Sequence, residues 1–369
     1  MIEYLEIEGF KSIKKLELEL RPVNIFIGSN GAGKSNFVSF FKLVGSIINR
    51  RLQKYILEEK ADNILYFGRK RTEVLSGKLI FKESQGQNNA YIFEIAQTKE
   101  GGLYLGYEGS GKKYSYSTES ENYNYLYNSN LAESEFAKSS IEKDTTLQGY
   151  MRSLKIYHFH DTSATSMLRK EGDISDNREM KSDGRNLSAF LYFLKEKHPI
   201  VYKRIETTIQ SVAPYIDRLI LEPNNLNEKE IELRWVDAAD MESNFSAYQL
   251  SDGTLRFIAL TAVLLQPNPP SVIIIDEPEL GLHPLAIGKL AGMIQAASTK
   301  AQVVVSTQSV NLLDYFEPED IVAVDRNKHG EQSVFMRLST NKLKVWLEDY
   351  TLGDLWQRNI IDSAQPFIK

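Results

Sequence analysis

The 369-residue chain, 42% apolar and 25% charged, has ordinary globular usage and room for a sizeable core in about two domains, at roughly 150 residues each. Its formal net charge of −5 argues against coating nucleic acid by bulk electrostatics, although it leaves a local basic patch open. The absence of cysteine excludes disulfides, thiol catalysis and zinc sites built on CxxC pairs, so a reducing cytosol is the expected setting. The opening "MIEYLEIEGF" is acidic and alternating, unlike an export signal, and runs such as "VIIID" are too short to cross a bilayer. A soluble, cytoplasmic protein with no membrane partner is expected.

In chain order, residues 2–7 and 16–20 ("LELEL") alternate apolar and polar, which predicts antiparallel strands with one wet face. The segment "VNIFIGS" (23–29) is instead almost continuously apolar, as are "SVIIIDE" (271–277) and "QVVVSTQ" (302–308). That is the pattern of parallel strands covered on both faces, so a mixed core sheet with an antiparallel rim is predicted. "NFVSFFKLVGSIINRRL", after Ser35, has apolar residues at helical spacing. Between about 75 and 150, "SGKLIFK", "AYIFEIAQT" and "GLYLGYEG" read as a β meander. A polar stretch bearing Tyr114, Tyr116, Tyr123, Tyr125 and Tyr127 follows. It reads either as a base-stacking surface or as a hairpin excursion whose tyrosines pack locally; the scarcity of basic residues favours the second. Residues 186–215 predict one or two amphipathic helices broken near Pro199, and no heptad run is sustained, which excludes long coiled-coil arms.

Three segments carry chemistry. The turn Gly28-Ser29-Asn30-Gly31-Ala32-Gly33-Lys34-Ser35 satisfies G-x-x-x-x-G-K-[ST] between a buried strand and a helix. Glycines let successive N–H groups face phosphate oxygens, and the helix start adds its positive end. Lys34 then reaches the β- and γ-phosphates and Ser35 ligates Mg²⁺. A plain strand-to-helix turn is the competing explanation, and the completeness of the motif stands against it. Downstream, Asp276 ends a buried apolar strand, where a carboxylate is costly without a cation to face. Glu277 beside it is the candidate to orient and deprotonate an attacking water. The third segment, "LSDGTLRF", places Ser251, Asp252, Gly253 and Thr254 at the start of an apolar helix. This is a plain N-cap or, because free N–H groups face outward there, a second anion site.

The order of these segments resembles the ATP-binding-cassette ATPases, specifically their RecF/SMC-like branch. "IEGFKSI" followed by "FIGSNGAGKSN" is similar to the start of those proteins, and "DGRNLSAFLYFL", "LSDGTLRF" and "LKVWLEDYTLGDLW" look like a group of stand-alone bacterial ATPases related to DNA repair and phage defence. The resemblance covers nearly the whole chain and implies an α/β P-loop ATPase fold with a helical signature lobe. The core lobe is expected at 1–75 and 250–369, the β meander and tyrosine-rich excursion at 76–150, and the signature lobe at 151–249. It implies that two protomers sandwich two ATP molecules head to tail. Residues Gly28 to Ser35, extended to Asn36, would form the Walker A loop, Asp276 and Glu277 Walker B, and Ser251 to Thr254 the signature that clamps the partner's γ-phosphate.

Asp252 departs from the usual glycine and is expected to point away from phosphate or toward a cation. Gln308 stands where transporters have histidine; an amide can hydrogen-bond phosphate or water but carries no proton, so slow hydrolysis is expected. "YHFHDTS" falls where a Q-loop glutamine is expected, with His160 or Asp161 as replacement; for His160 a structural role weighs equally. Lys11 either approaches the nucleotide or is a solvated surface lysine. His283 replaces the usual D-loop acid.

The function implied is a dimeric ATPase that couples ATP-driven closure to DNA transactions or to control of a separate effector, such as a Toprim-type nuclease. A transporter's nucleotide-binding subunit is the alternative. The altered Q-loop, the Gln308 switch and the "IEGFKSI" opening stand against it. A self-contained nuclease is not expected, since the residues after Gln308 hold no D-x-D strand pattern.

Overall fold

The structure is a computed structural model that describes residues 1–82, 88–113, 125–127, 130–327 and 330–361. It divides into two compact units, residues 1–154 with 317–369, and residues 155–316.

In the first unit the opening strands Ile2–Phe10 and Ile13–Glu19 pair antiparallel, Leu5 opposite Leu18 and Ile7 opposite Leu16. Alternation puts Leu5, Ile7, Leu16 and Leu18 inside and their charged neighbours outside. The meander strands Val74–Lys82, Asn88–Gln97 and Leu103–Lys113 continue this antiparallel sheet from Ile2–Phe10. Of the tyrosine-rich stretch, Tyr114, Tyr116 and Tyr123 lie outside the described residues, and Tyr125–Tyr127 is described only as a backbone strand pairing with Leu103–Lys113. Within the meander Glu108 is wholly buried, its carboxylate accepting hydrogen bonds from Tyr91, Ser134 and the backbone N–H groups of Glu135 and Phe136. Four donors offset the loss of water around that charge.

A second sheet segment positions the glycine turn. Strand Val23–Ile27, buried at every residue, runs parallel to Ile321–Arg326, which pairs antiparallel with Ser333–Arg337 on its other side. The sheet is therefore mixed. Helix Lys34–Ile48 leaves the turn with Phe37, Phe40, Phe41 and Val44 buried, and Phe37 stacks on Phe26 at 4.2 Å between centroids. Burying each such ring contributes about 1.5–3 kcal/mol. The pair locks the end of the strand to the first turn of the helix, so the intervening loop has fixed ends.

In the second unit, Val272–Asp276 and Gln302–Thr307 form a parallel ladder running from Val272 opposite Gln302 to Asp276 opposite Ser306. Helix Pro284–Ser298 connects them and packs on helix Asp252–Leu265. The latter is apolar on all sides and buried from Leu255 to Leu265. Helices Leu187–Lys197 and Pro199–Gln210 break at His198, with Pro199 at the first helical position. The chain between them and residue 251 folds into short antiparallel strands, Ile216–Ile220, Arg234–Asp237 and Asp240–Ser246, that hydrophobic periodicity did not announce. Among the described residues no helix exceeds 15 residues, too short for coiled-coil arms, and none is long and apolar enough to cross a membrane.

Candidate nucleotide site

In the first unit the loop from Gly28 to Gly33 is shaped by what surrounds it. A Cβ on Gly28 would overlap the Val324 carbonyl oxygen, and one on Gly33 would overlap the Ser333 hydroxyl. Gly31 and Gly33 have φ of 80° and 125°, which L side chains rarely adopt. The positive end of helix Lys34–Ile48 carries no capping side chain and no acidic residue of its own first turn. Buried Lys34 reaches back over the loop, Nζ donating to the carbonyl oxygens of Gly28 at 2.6 Å and Ser29 at 3.1 Å. Ser29, Asn30 and Ser35 are exposed, and Ala32 is buried.

A brace of hydroxyls holds this loop from behind. Asn36 Nδ2 donates to Ser12 Oγ at 2.7 Å, Ser12 and Ser333 share a hydrogen bond of 2.7 Å, and Ser333 Oγ donates to the Ala32 carbonyl at 2.5 Å. Arg326 Nε donates to the Gly31 carbonyl at 3.1 Å. Beside the loop opens a cleft of about 870 Å³ lined by Lys11, Ser12, Asn36, Tyr66, Phe67, Arg69 and Arg326, within the size range of small-molecule sites. Lys11, at φ 48° in the turn of the first hairpin, pairs with Glu59 at 3.0 Å on the cleft wall.

In the second unit the ends of the two parallel strands gather carboxylates. Asp276 accepts from the Ser306 hydroxyl, and its backbone carbonyl lies 2.9 Å from Nε2 of His160. Glu277 has φ 43°, its N–H donates to the Ser306 carbonyl at 2.7 Å, and its carboxylate accepts from the Gln308 amide. Sequence reasoning did not single out Glu279. Its Oε1 accepts from Thr307 Oγ1 at 2.5 Å and from the N–H groups of Gln308 and Ser309, while Oε2 is buried without a partner. Burial pushes the Glu279 carboxyl above its ordinary range; the hydrogen bond from Thr307 opposes this. The only sequence signal was its place two residues after Glu277. Asp161 lies in a separate turn: its carboxylate accepts from the Ser163 hydroxyl and N–H, which holds its pKa below the usual value.

Helix Asp252–Leu265 starts at Ser251, whose Oγ accepts from Thr254 N–H at 3.2 Å and shares a hydrogen bond with the Thr254 hydroxyl; Tyr215 bonds that hydroxyl in turn. Ser251 and Asp252 are exposed. A Cβ on Gly253 would overlap the Gly281 carbonyl oxygen, so glycine is required by close approach. The Asp252 carboxylate accepts from Arg169 at 2.8 Å. Buried Arg169 also donates to the carbonyls of Thr162, Ala247 and Leu250. Arg256, one turn on, donates to the carbonyls of Phe159 and His160. Both arginines were missed in the sequence, because nothing local marks an arginine as a tether. His283 caps helix Pro284–Ser298 through Nδ1.

Fold and glycine loop together define a P-loop ATPase-type domain with the fold of an SMC head. A family model described as "AAA domain, putative AbiEii toxin, Type IV TA system" matches residues 23–314, and the chain belongs to that family. Among curated proteins none matches. Of solved structures, an SMC head bound to the C-winged helix domain of ScpA is similar with TM-score 0.61 and 17% identity over 93% of this chain and 99% of that one. The SMC head domain from Thermotoga maritima gives TM-score 0.52 and 14% identity over 92% of this chain and 99% of that one. An SMC head with an extended coiled coil, bound to the C-terminal domain of ScpA derived from Pyrococcus furiosus, gives 0.57 and 16% over 94% and 98%. At such identities the likeness is one of fold.

Proposed function

We propose that this chain binds and slowly hydrolyses MgATP as a head-to-tail homodimer, and that the closed dimer controls a separate effector protein. The observation that carries the reading is the uncapped helix start behind the Gly28–Gly33 loop, with Lys34 held over the loop carbonyls. Such a loop offers N–H groups and a cation to phosphate oxygens. The neighbouring cleft receives the nucleoside, with Lys11 on its wall and Phe67, half exposed, as a ring face. Ser35 in the first unit and Asp276 in the second each offer an oxygen donor of the kind Mg²⁺ prefers, and a bound Mg²⁺ would neutralise charge developing on the phosphates. Asp161, turned toward Ser163, is the weaker candidate ligand.

Glu277 acts as the base toward water. Gln308, bonded to its carboxylate, aims it but cannot relay a proton, which supports slow turnover. Ser251 to Thr254 present the second phosphate-facing surface, to the partner's nucleotide. Tying up the Asp252 carboxylate with Arg169 reduces its repulsion of phosphate. The description of the family as a toxin of a toxin–antitoxin system, and the ScpA partner of two matched SMC heads, support a role in effector control, including anti-phage defence. DNA contact and repair remain the second branch of the same reading.

The test is size-exclusion chromatography of E277Q with and without ATP, alongside K34A. An ATP-dependent shift to a dimer, lost in K34A, is expected. A monomer at every ATP concentration that saturates binding overturns the dimer.

A further inference from the structure

Two imidazoles stand beside Asp276, and only that of His160 figured in the expected nucleotide site. His158 and His160 follow strand Leu154–Tyr157 two residues apart, with ring centroids 6.1 Å from each other. One ring nitrogen of each and one Asp276 carboxylate oxygen all lie within 4.8 Å of one another. His160 Nε2 is 2.9 Å from the Asp276 backbone carbonyl. A carbonyl oxygen only accepts, so Nε2 carries the hydrogen and Nδ1 keeps its lone pair. Fixing a ligand imidazole's tautomer through its second nitrogen is the usual support for a metal-binding histidine. Asp276 spends one oxygen on Ser306 and has the other to give. His158 and Asp276 are half-buried and His160 is exposed, so an ion can enter.

Mg²⁺ prefers oxygen donors, whereas two imidazoles with one carboxylate, and a remaining open position, suit borderline ions. Bonds of about 2.0–2.2 Å to one tetrahedral ion put its ligand atoms roughly 3.4 Å apart. Ligand atoms that lie within 4.8 Å of one another would have to approach by up to about 1.4 Å. We propose that His158, His160 and Asp276 form a site for a divalent transition ion of the zinc class (Zn²⁺, Co²⁺ or Ni²⁺). Occupancy engages Asp276 and so suppresses ATP hydrolysis, a consequence that rests on the proposed Mg²⁺ role of Asp276.

The test uses the full, tag-free chain without nucleotide, titrated with CoCl₂ and followed by ligand-field absorption, then by competition with ZnCl₂ or MgCl₂. One Co²⁺ per chain is expected, displaced by Zn²⁺ but not by an equal concentration of Mg²⁺. H158Q and H160Q should each weaken binding by at least about tenfold, while K34A binds as the wild type. Absence of a Co²⁺ spectrum, or unchanged affinity in the double variant H158Q/H160Q, overturns the site. Should the double variant lose its circular dichroism signal, imidazole NMR of the wild type decides. Co²⁺ must perturb the His158 and His160 resonances; perturbation confined to the other three histidines overturns the proposal. Zn²⁺ inhibition of hydrolysis supports the regulatory half, and Co²⁺ binding without inhibition overturns that half alone. Because binding is read without ATP, its failure leaves the ATPase reading intact, and loss of ATPase activity leaves the metal result standing.

Discussion

Glu277 sits at φ 43°, a left-handed conformation that costs a non-glycine residue on the order of 1–3 kcal/mol. Its N–H bond to Ser306 and its carboxylate bond to Gln308 hold it there. As the proposed base, it should be separable from binding. E277Q is expected to lower phosphate release by roughly 10²–10⁴-fold with ATP affinity retained; affinity lost in parallel would sink the role. Gly28 makes a second residue-scale case. G28A forces a methyl into the Val324 carbonyl, so nucleotide binding should fall sharply for a stability loss of about 1–3 kcal/mol, read by equilibrium dialysis and urea denaturation. Glu279 makes a third, through pH. Its folded pKa lies above the ordinary 4.5, so the native state keeps a proton the unfolded chain gives up. Stability contributed by that group is therefore greatest at low pH and declines as pH rises through 4.5 toward the raised folded value. E279Q keeps an acceptor for Thr307, Gln308 and Ser309 and cannot titrate. Wild type should lose stability relative to E279Q over that rise, and parallel pH profiles would refute the assignment.

Helix Asp252–Leu265 shows how an element is held from one side. Arg169 makes three bonds to backbone carbonyls and one to Asp252, yet the arginine is 5% exposed and the aspartate 65%. R169A should destabilise the fold by about 3 kcal/mol, since buried carbonyls lose a charged donor. D252N should change it by less than about 1 kcal/mol, as for an exposed partner. Equal losses in thermal melts would show that the ion pair, and not the carbonyl clamp, secures the helix. The same element marks where sequence reading runs out. Ser251 is legible as a cap because its bond to Thr254 is three residues away. Arg169 is not, because three of its four partners are backbone carbonyls, which carry no residue signature, and the fourth, Asp252, is 83 residues distant. The strands at 216–246 were hidden for a related reason: short and part-exposed, as in Asn227–Ile231, they hold too few buried positions for a period to emerge. Val23–Ile27 and Val272–Asp276 were legible because burial on both faces demands an unbroken apolar run.

For the molecule as a whole, the proposed dimer makes Ser251 a surface residue with a partner. S251R introduced beside E277Q should leave ATP affinity unchanged and abolish the ATP-dependent dimer; a dimer that persists in light scattering would remove the signature segment from the interface. The loop brace carries one more implication. Gly28, Gly31 and Ala32 are each touched by Val324, Arg326 or Ser333, residues that follow them by about 300 positions. At 5–20 residues per second of synthesis, an emerging polypeptide waits roughly 15–60 s before its earliest motif acquires the clasp that shapes it. If the loop binds ATP as proposed, the nascent chain is expected to capture nucleotide only after residue 333 has been made.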